Sequence, residues 1–225
     1  VYAGVGKSDK EIYHALKLGI EAFNCESLQE IYVINEMAHV HGVKANVSVR
    51  INPDIDAHTH KYVTTGLYEN KFGISQHEFD KLIDVLKKSE HINFIGLHFH
   101  IGSQITRVEE VFGLECKRVN DIVAFFERKG LKVNNINLGG GLGVDYDDPD
   151  ENAIPDFEAW FRTISENIVR REDQAVHVEP GRSPVAQCAT LISRVLFVKS
   201  GEAKNFRIMD AGMNDLIRAA LYGAY

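Results

Sequence analysis

Asn135-Ile136-Asn137-Leu138-Gly139-Gly140-Gly141-Leu142-Gly143 is a short apolar run broken by three consecutive glycines, and the rest of the chain is read outward from it. Glycine reaches backbone angles that other residues avoid, and without a side chain it lets a ligand or a neighbouring strand touch the main chain. Successive N–H groups in such a turn can face one concavity and hold an anion. A strand that runs into this turn is a candidate phosphate cradle; a tight turn with no ligand is the other reading.

On both sides of this stretch, strand-like runs alternate with helical ones. The apolar runs lie near 1–4, 20–25, 45–51, 92–100, 133–138 and 174–179. Between them four segments open with a Ser or Thr three residues before a Glu: Ser8 and Glu11, Ser27 and Glu30, Ser75 and Glu78, Thr106 and Glu109. Each reads as a capping box at a helix start, and apolar residues at helical spacing follow each one. Gly19, Gly42 and Gly130 stop three of these helices, and a fifth helix is expected after Pro155. Strand, helix, strand in this order implies parallel pairing with right-handed crossovers. The pattern predicts an α/β fold, a partial (β/α)8 barrel whose first two strands would lie upstream of Val1. An open doubly wound sheet is the alternative. After Glu179 the alternation ends. Cys188–Val198 and Phe206–Met209 read as strands and 216–221 as a short helix, so the barrel is assigned to 1–182 and the start of a second, β-rich domain to 183–225.

The 225 residues carry a net charge of −7, which argues against a general nucleic-acid surface. No apolar run approaches the ~20 residues of a membrane span, and no signal peptide is evident. Cys25, Cys116 and Cys188 are odd in number and far apart, which suits reduced thiols in the cytoplasm. The chain opens on Val1 inside an apolar run, as a piece of a longer protein would. The polar stretch 52–73, with Asp56, His58, Thr59 and His60, reads as a long loop without assigned chemistry.

Chemistry-bearing residues gather at the predicted strand ends. His98 and His100 share one strand face, as do His177 and Glu179. Three histidines and a carboxylate could hold a divalent metal, as in a barrel hydrolase. Alternatively the His100 ring stacks on a planar cofactor while Glu179 grips a ring nitrogen. The metal reading leaves the glycine turn and Arg182 unused; the planar-cofactor reading uses both. Pyridoxal phosphate is such a cofactor. Its ring absorbs the electrons left on Cα by decarboxylation, and a carboxylate at the pyridine nitrogen keeps the proton that makes the ring a good electron sink.

His100-Ile101-Gly102-Ser103-Gln104, Gly139–Gly143, Glu179-Pro180-Gly181-Arg182-Ser183 and the stretch from Met209 to Arg218 together resemble the diaminopimelate decarboxylases, barrel enzymes of the alanine racemase-like pyridoxal phosphate group. The resemblance runs the whole length. It implies decarboxylation of meso-diaminopimelate to L-lysine, with decarboxylases of ornithine, arginine or a carboxylated polyamine such as carboxynorspermidine as related alternatives. It makes His100 the ring-stacking histidine and Glu179 the partner of the pyridine nitrogen. Ser103, Gly139, Gly140, Gly141, Pro180, Gly181 and Arg182 would surround the cofactor, and Arg182, Arg218 and Tyr222 would contact substrate. Ala219 departs from the family's proline. The family's Schiff-base lysine is expected upstream of Val1, and the cysteine that a partner subunit contributes to the shared homodimer site beyond Tyr225. A chain of these residues alone is therefore expected to be inactive. Lys44, in Val43-Lys44-Ala45-Asn46, imitates the lysine motif but opens a strand, at the end opposite the site.

Overall fold

The computed structural model describes residues 1–55, 71–152 and 154–222, with the side chains of 219 and 222 left out. Asp56, His58, Thr59 and His60 therefore lie outside the described residues. Five parallel strands form one sheet: β1 Phe23–Cys25, β2 Ala45–Arg50, β3 Ile92–His98, β4 Asn135–Asn137 and β5 Ala175–His177. Their order in the sheet is their order in the chain. A doubly wound sheet reverses its order at one point; here every strand lies beside its successor, as in a barrel wall. The fold is thus part of a (β/α)8 barrel.

The connections carry helices α1 Asp9–Leu18, α2 Leu28–Val40, α3 Phe79–Lys88, α4 Val108–Arg128 and α5 Phe157–Asn167. Their apolar stripes close over the sheet, with Ile31, Leu82, Phe112, Val119, Phe126 and Trp160 fully buried. Burying side chains of this size stabilises the fold by roughly 2 kcal/mol each. Glu115 lies within the α4 stripe with no hydrogen-bond partner among the described residues, and burial pushes its carboxyl well above the usual range.

Three of the four expected capping boxes do not close on both sides. Ser8 and Glu11 cap reciprocally, whereas the Ser27 hydroxyl accepts from the Glu30 amide but the Glu30 carboxylate accepts from the Glu26 amide. After Ser75 the chain first makes a 3-10 turn, Gln76–Glu78, so α3 starts later with Glu78 at its cap. At α4 the cap is Arg107, one residue past Thr106, and no side chain caps it. The run expected near 1–4 contributes only a bridge between Tyr2 and Phe23, because Gly4, at φ 111°, turns the chain away.

Beyond the sheet come the short helix α6 Arg182–Val185, an antiparallel pair β6 Val195–Ser200 and β7 Asn205–Met209, and α7 Arg218–Tyr222. The strand expected over Cys188–Val198 begins only at Val195. Every residue of β6 and β7 is exposed. No described helix is long and apolar enough to cross a membrane.

Candidate active site

Parallel register aligns the last residues of four strands. Arg50 pairs with His98, His98 with Asn137, and Asn137 with His177. Aligned residues of a parallel sheet point to one face, so these four side chains form a row along the carboxyl rim. Lys44 precedes β2 at the opposite rim, as expected.

Glu179 stands two residues beyond His177 and joins the row. Its amide donates to the Gly139 carbonyl at 2.6 Å. The carboxylate accepts from Asn137 Nδ2 at 2.8 Å and lies 3.6 Å from His98 Nε2, an ion-pair contact too long for a hydrogen bond. The His98 imidazole beside it, aided by the Asn137 amide, holds the Glu179 carboxyl down at about 2 against a partial penalty from burial. His98 is 2% exposed, and among the described residues neither of its ring nitrogens makes a hydrogen bond. The neighbouring Arg50 is paired with Glu26 at 2.9 Å.

His100 lies just past β3. Burial, reinforced by the charges of Arg50 and His98, lowers its pKa to about 4. Its Nδ1 accepts from the Gly140 amide at 3.2 Å. An accepting Nδ1 carries no proton, so the imidazole is neutral with its hydrogen on Nε2.

The glycine turn is a wedge between two loops. Gly139 and Gly141 sit at φ 67° and 114°. A Cβ on Gly139 would strike the Phe99 carbonyl and His100; one on Gly140 would overlap the Glu179 carbonyl oxygen; one on Gly141 would sit 2.6 Å from the Gly102 oxygen. The Gly139 amide donates to Asn137 Oδ1 at 2.8 Å, and the Gly140 amide to His100. Two of the turn's amides therefore orient Asn137 and His100, rather than pointing together into an open concavity. The turn brings the histidine loop and the Glu179 loop together.

Arg182 opens α6. Its Nε and Nη2 donate to Ser103 Oγ at 3.3 and 3.2 Å, and its Nη1 donates to Tyr146 Oη at 2.8 Å. Beside Pro180, the position where Gly181 would carry a Cβ faces open space. Arg218 stacks on the ring of the same tyrosine, with Cζ 3.8 Å from the Tyr146 ring centre. Gln104, Leu142, Tyr146 and Arg218 help line a cleft of about 770 Å³ that adjoins the site but does not include His100 or Glu179. Tyr222 ends α7, and its side chain lies outside those described.

The structure brings His98, His100 and Glu179 together with the glycine turn, and Ser103 with Arg182. It does not gather the three histidines as ligands: among the described residues no three His, Cys, Asp or Glu side chains form a group able to hold a metal. Asn137 and Tyr146 were not singled out from the sequence. Asn137 was legible in principle, since the alternation Asn135-Ile136-Asn137 places it on the face of the row. Nothing local marks Tyr146, whose partners lie 36 residues or more away.

A sequence model of the family described as pyridoxal-dependent decarboxylase, pyridoxal binding domain, matches residues 1–186. The chain belongs to that family. It is 52% identical over all 225 residues to diaminopimelate decarboxylase of Bacteroides thetaiotaomicron, and covers 58% of that protein. Against diaminopimelate decarboxylase of Neisseria meningitidis serogroup A the identity is 41%, with 54% of the relative covered. The chain thus spans little more than half the length of these relatives. A solved diaminopimelate decarboxylase variant from Helicobacter pylori, complexed with L-lysine, superposes with TM-score 0.88 at 40% identity over 98% of this chain and 54% of the other. A viral arginine decarboxylase at 20% identity and TM-score 0.80 shares the fold alone.

Proposed function

We propose that the protein containing this chain is a pyridoxal phosphate-dependent decarboxylase that converts meso-diaminopimelate to L-lysine and carbon dioxide. One observation carries the reading: the glycine turn joins Glu179 and His100 on one rim, its Gly139 carbonyl accepting from the Glu179 amide and its Gly140 amide donating to His100 Nδ1, with the acid held ionised and the imidazole neutral. That pairing suits a flat ring with a basic nitrogen. Glu179 is ionised at working pH and able to keep a proton on such a nitrogen, while the neutral His100 ring can lie against the ring face without charge repulsion. The open space at Gly181, beside the Glu179 loop, fits a group that completes the site. When bound, pyridoxal phosphate would supply the electron sink for the carbon that loses carbon dioxide. His100, Ser103, Glu179, Pro180, Gly181 and Arg182 would hold it, on loops that Gly139, Gly140 and Gly141 bring together.

Arg182, Arg218 and Tyr222 would take the substrate. Diaminopimelate keeps one carboxylate through the reaction, and guanidinium forks suit that anion. The relatives' names and the lysine-bound Helicobacter structure support this choice over a diamine-forming reaction. The complete protein would work as a cytoplasmic homodimer. The test is to offer the full-length protein meso-diaminopimelate, ornithine and arginine in parallel and follow product amines. Lysine from the first, with turnover at least ~100-fold above the other two, is expected. Preferential turnover of ornithine or arginine would overturn the assignment.

A further inference from the structure

We infer that Tyr146 is a positioning and specificity-determining residue that sets Arg182 and Arg218 to receive a single carboxylate. The inference rests on the reading above and names a residue that reading does not use. Tyr146 follows the glycine turn by three residues and meets two arginines that are far from it and from each other in sequence. Its hydroxyl accepts from Arg182 Nη1 at 2.8 Å, and its ring lies 3.8 Å from Arg218 Cζ. Arg182 Cζ is itself 5.8 Å from the same ring centre.

Two guanidiniums drawn to one tyrosine carry like charges. The arrangement is stabilised by a ring that offers its negative face to one and its oxygen to the other. Ser103 Oγ accepts the remaining Arg182 donors on that side. Because Tyr146 Oη accepts from Arg182, its own proton points elsewhere and is available to an anion. Tyr146 and Arg218 line the cleft of about 770 Å³ together with Asp145, Asp147 and Asp156, a space large enough for a small amino acid; Arg182 is not in its lining and is tied to it through Tyr146. The ligand this favours has one carboxylate, held between two forks, at the end that does not react. L-lysine keeps that carboxylate; 1,5-diaminopentane has none.

The experiment uses the full-length enzyme loaded with pyridoxal phosphate, as wild type, Tyr146→Phe and Tyr146→Leu. Circular dichroism and the cofactor's visible absorbance confirm that each variant is folded and loaded. Binding of L-lysine and of 1,5-diaminopentane is measured by calorimetry, and KM and kcat for meso-diaminopimelate are determined. Tyr146→Phe keeps the ring under Arg218 but loses the bond to Arg182, so lysine Kd and substrate KM should rise roughly tenfold with kcat within about threefold. Tyr146→Leu loses both contacts and should cost roughly 100-fold in the same two constants. Diaminopentane binding should stay within about twofold in every form. Lysine Kd unchanged in Tyr146→Phe, or both ligands weakened equally, would overturn the inference. If Tyr146→Leu does not fold, Tyr146→Phe decides alone. A wild-type enzyme that neither binds lysine nor turns over diaminopimelate would instead sink the functional reading.

Discussion

His100 and Glu179 are opposite cases of one principle. Burial works against charge on the imidazole and lowers its pKa to about 4, while the His98 contact favours charge on the carboxylate and lowers it to about 2. The two shifts act on stability in separate windows. Unfolding returns His100 to an ordinary histidine near 6.5, so below that pH the unfolded chain binds a proton that the folded one refuses. Stability is therefore lost as pH falls from about 6.5 towards 4, by roughly 2 kcal/mol at pH 5. The Glu179 contribution is present above the ordinary glutamate range and disappears only as pH falls from about 4.5 towards 2. Urea unfolding of wild type and His100→Gln at pH 7 and pH 5 checks the first window. The variant should lose about 2 kcal/mol less than wild type between the two pH values; equal losses would show that His100 is not the group responsible. Both residues were legible in the sequence, because a period of two at a strand end fixes which side chains share a face. The restraint on His100 by a glycine amide was not, because it joins residues 40 positions apart.

At the scale of an element, the glycine turn after β4 spaces its neighbours. Its sequence suggested a ligand cradle; its geometry assigns Gly140 to a close backbone approach, with the Glu179 carbonyl occupying the place of a Cβ. Gly140→Ala must push the Glu179 loop away from the turn. It is expected to destabilise the protein by about 2 kcal/mol or more and to weaken pyridoxal phosphate uptake at least tenfold, read by denaturant titration and by cofactor absorbance. Alanine tolerated with full uptake would return the turn to the simpler cradle. The helices show why a motif can be right in kind and wrong in place. Ser8 and Ser27 cap because the helix begins on the next residue, whereas a 3-10 turn after Ser75 and a late start after Thr106 carry α3 and α4 past their expected caps. Apolar periodicity fixes which face of a helix is buried far more firmly than it fixes the first turn. The run 188–194 looked like strand for the same reason: apolar content alone does not say where pairing starts.

At the scale of the molecule, strand order selects between the two α/β architectures that the alternation left open. Periodicity can reveal strands and helices, but it carries no information about whether strand order reverses. The monotonic order β1 to β5 is a property of tertiary contacts, and it aligns Arg50, His98, Asn137 and His177 on one rim. Through that rim, Glu179 reaches His98 across 81 residues of sequence. The same arrangement argues against the metal alternative: the row sets the Asn137 amide between His98 and His177, and among the described residues no three His, Cys, Asp or Glu side chains converge.

Glu179 is the residue on which the proposed electron withdrawal depends. The decisive measurement is kcat for meso-diaminopimelate in the full-length enzyme carrying Glu179→Ala, with folding and cofactor loading verified. A fall of at least ~100-fold, with KM within a few-fold of wild type, is predicted for an acid that acts on the reacting system rather than on substrate affinity. A variant that is folded, loaded and close to the wild-type rate would contradict it.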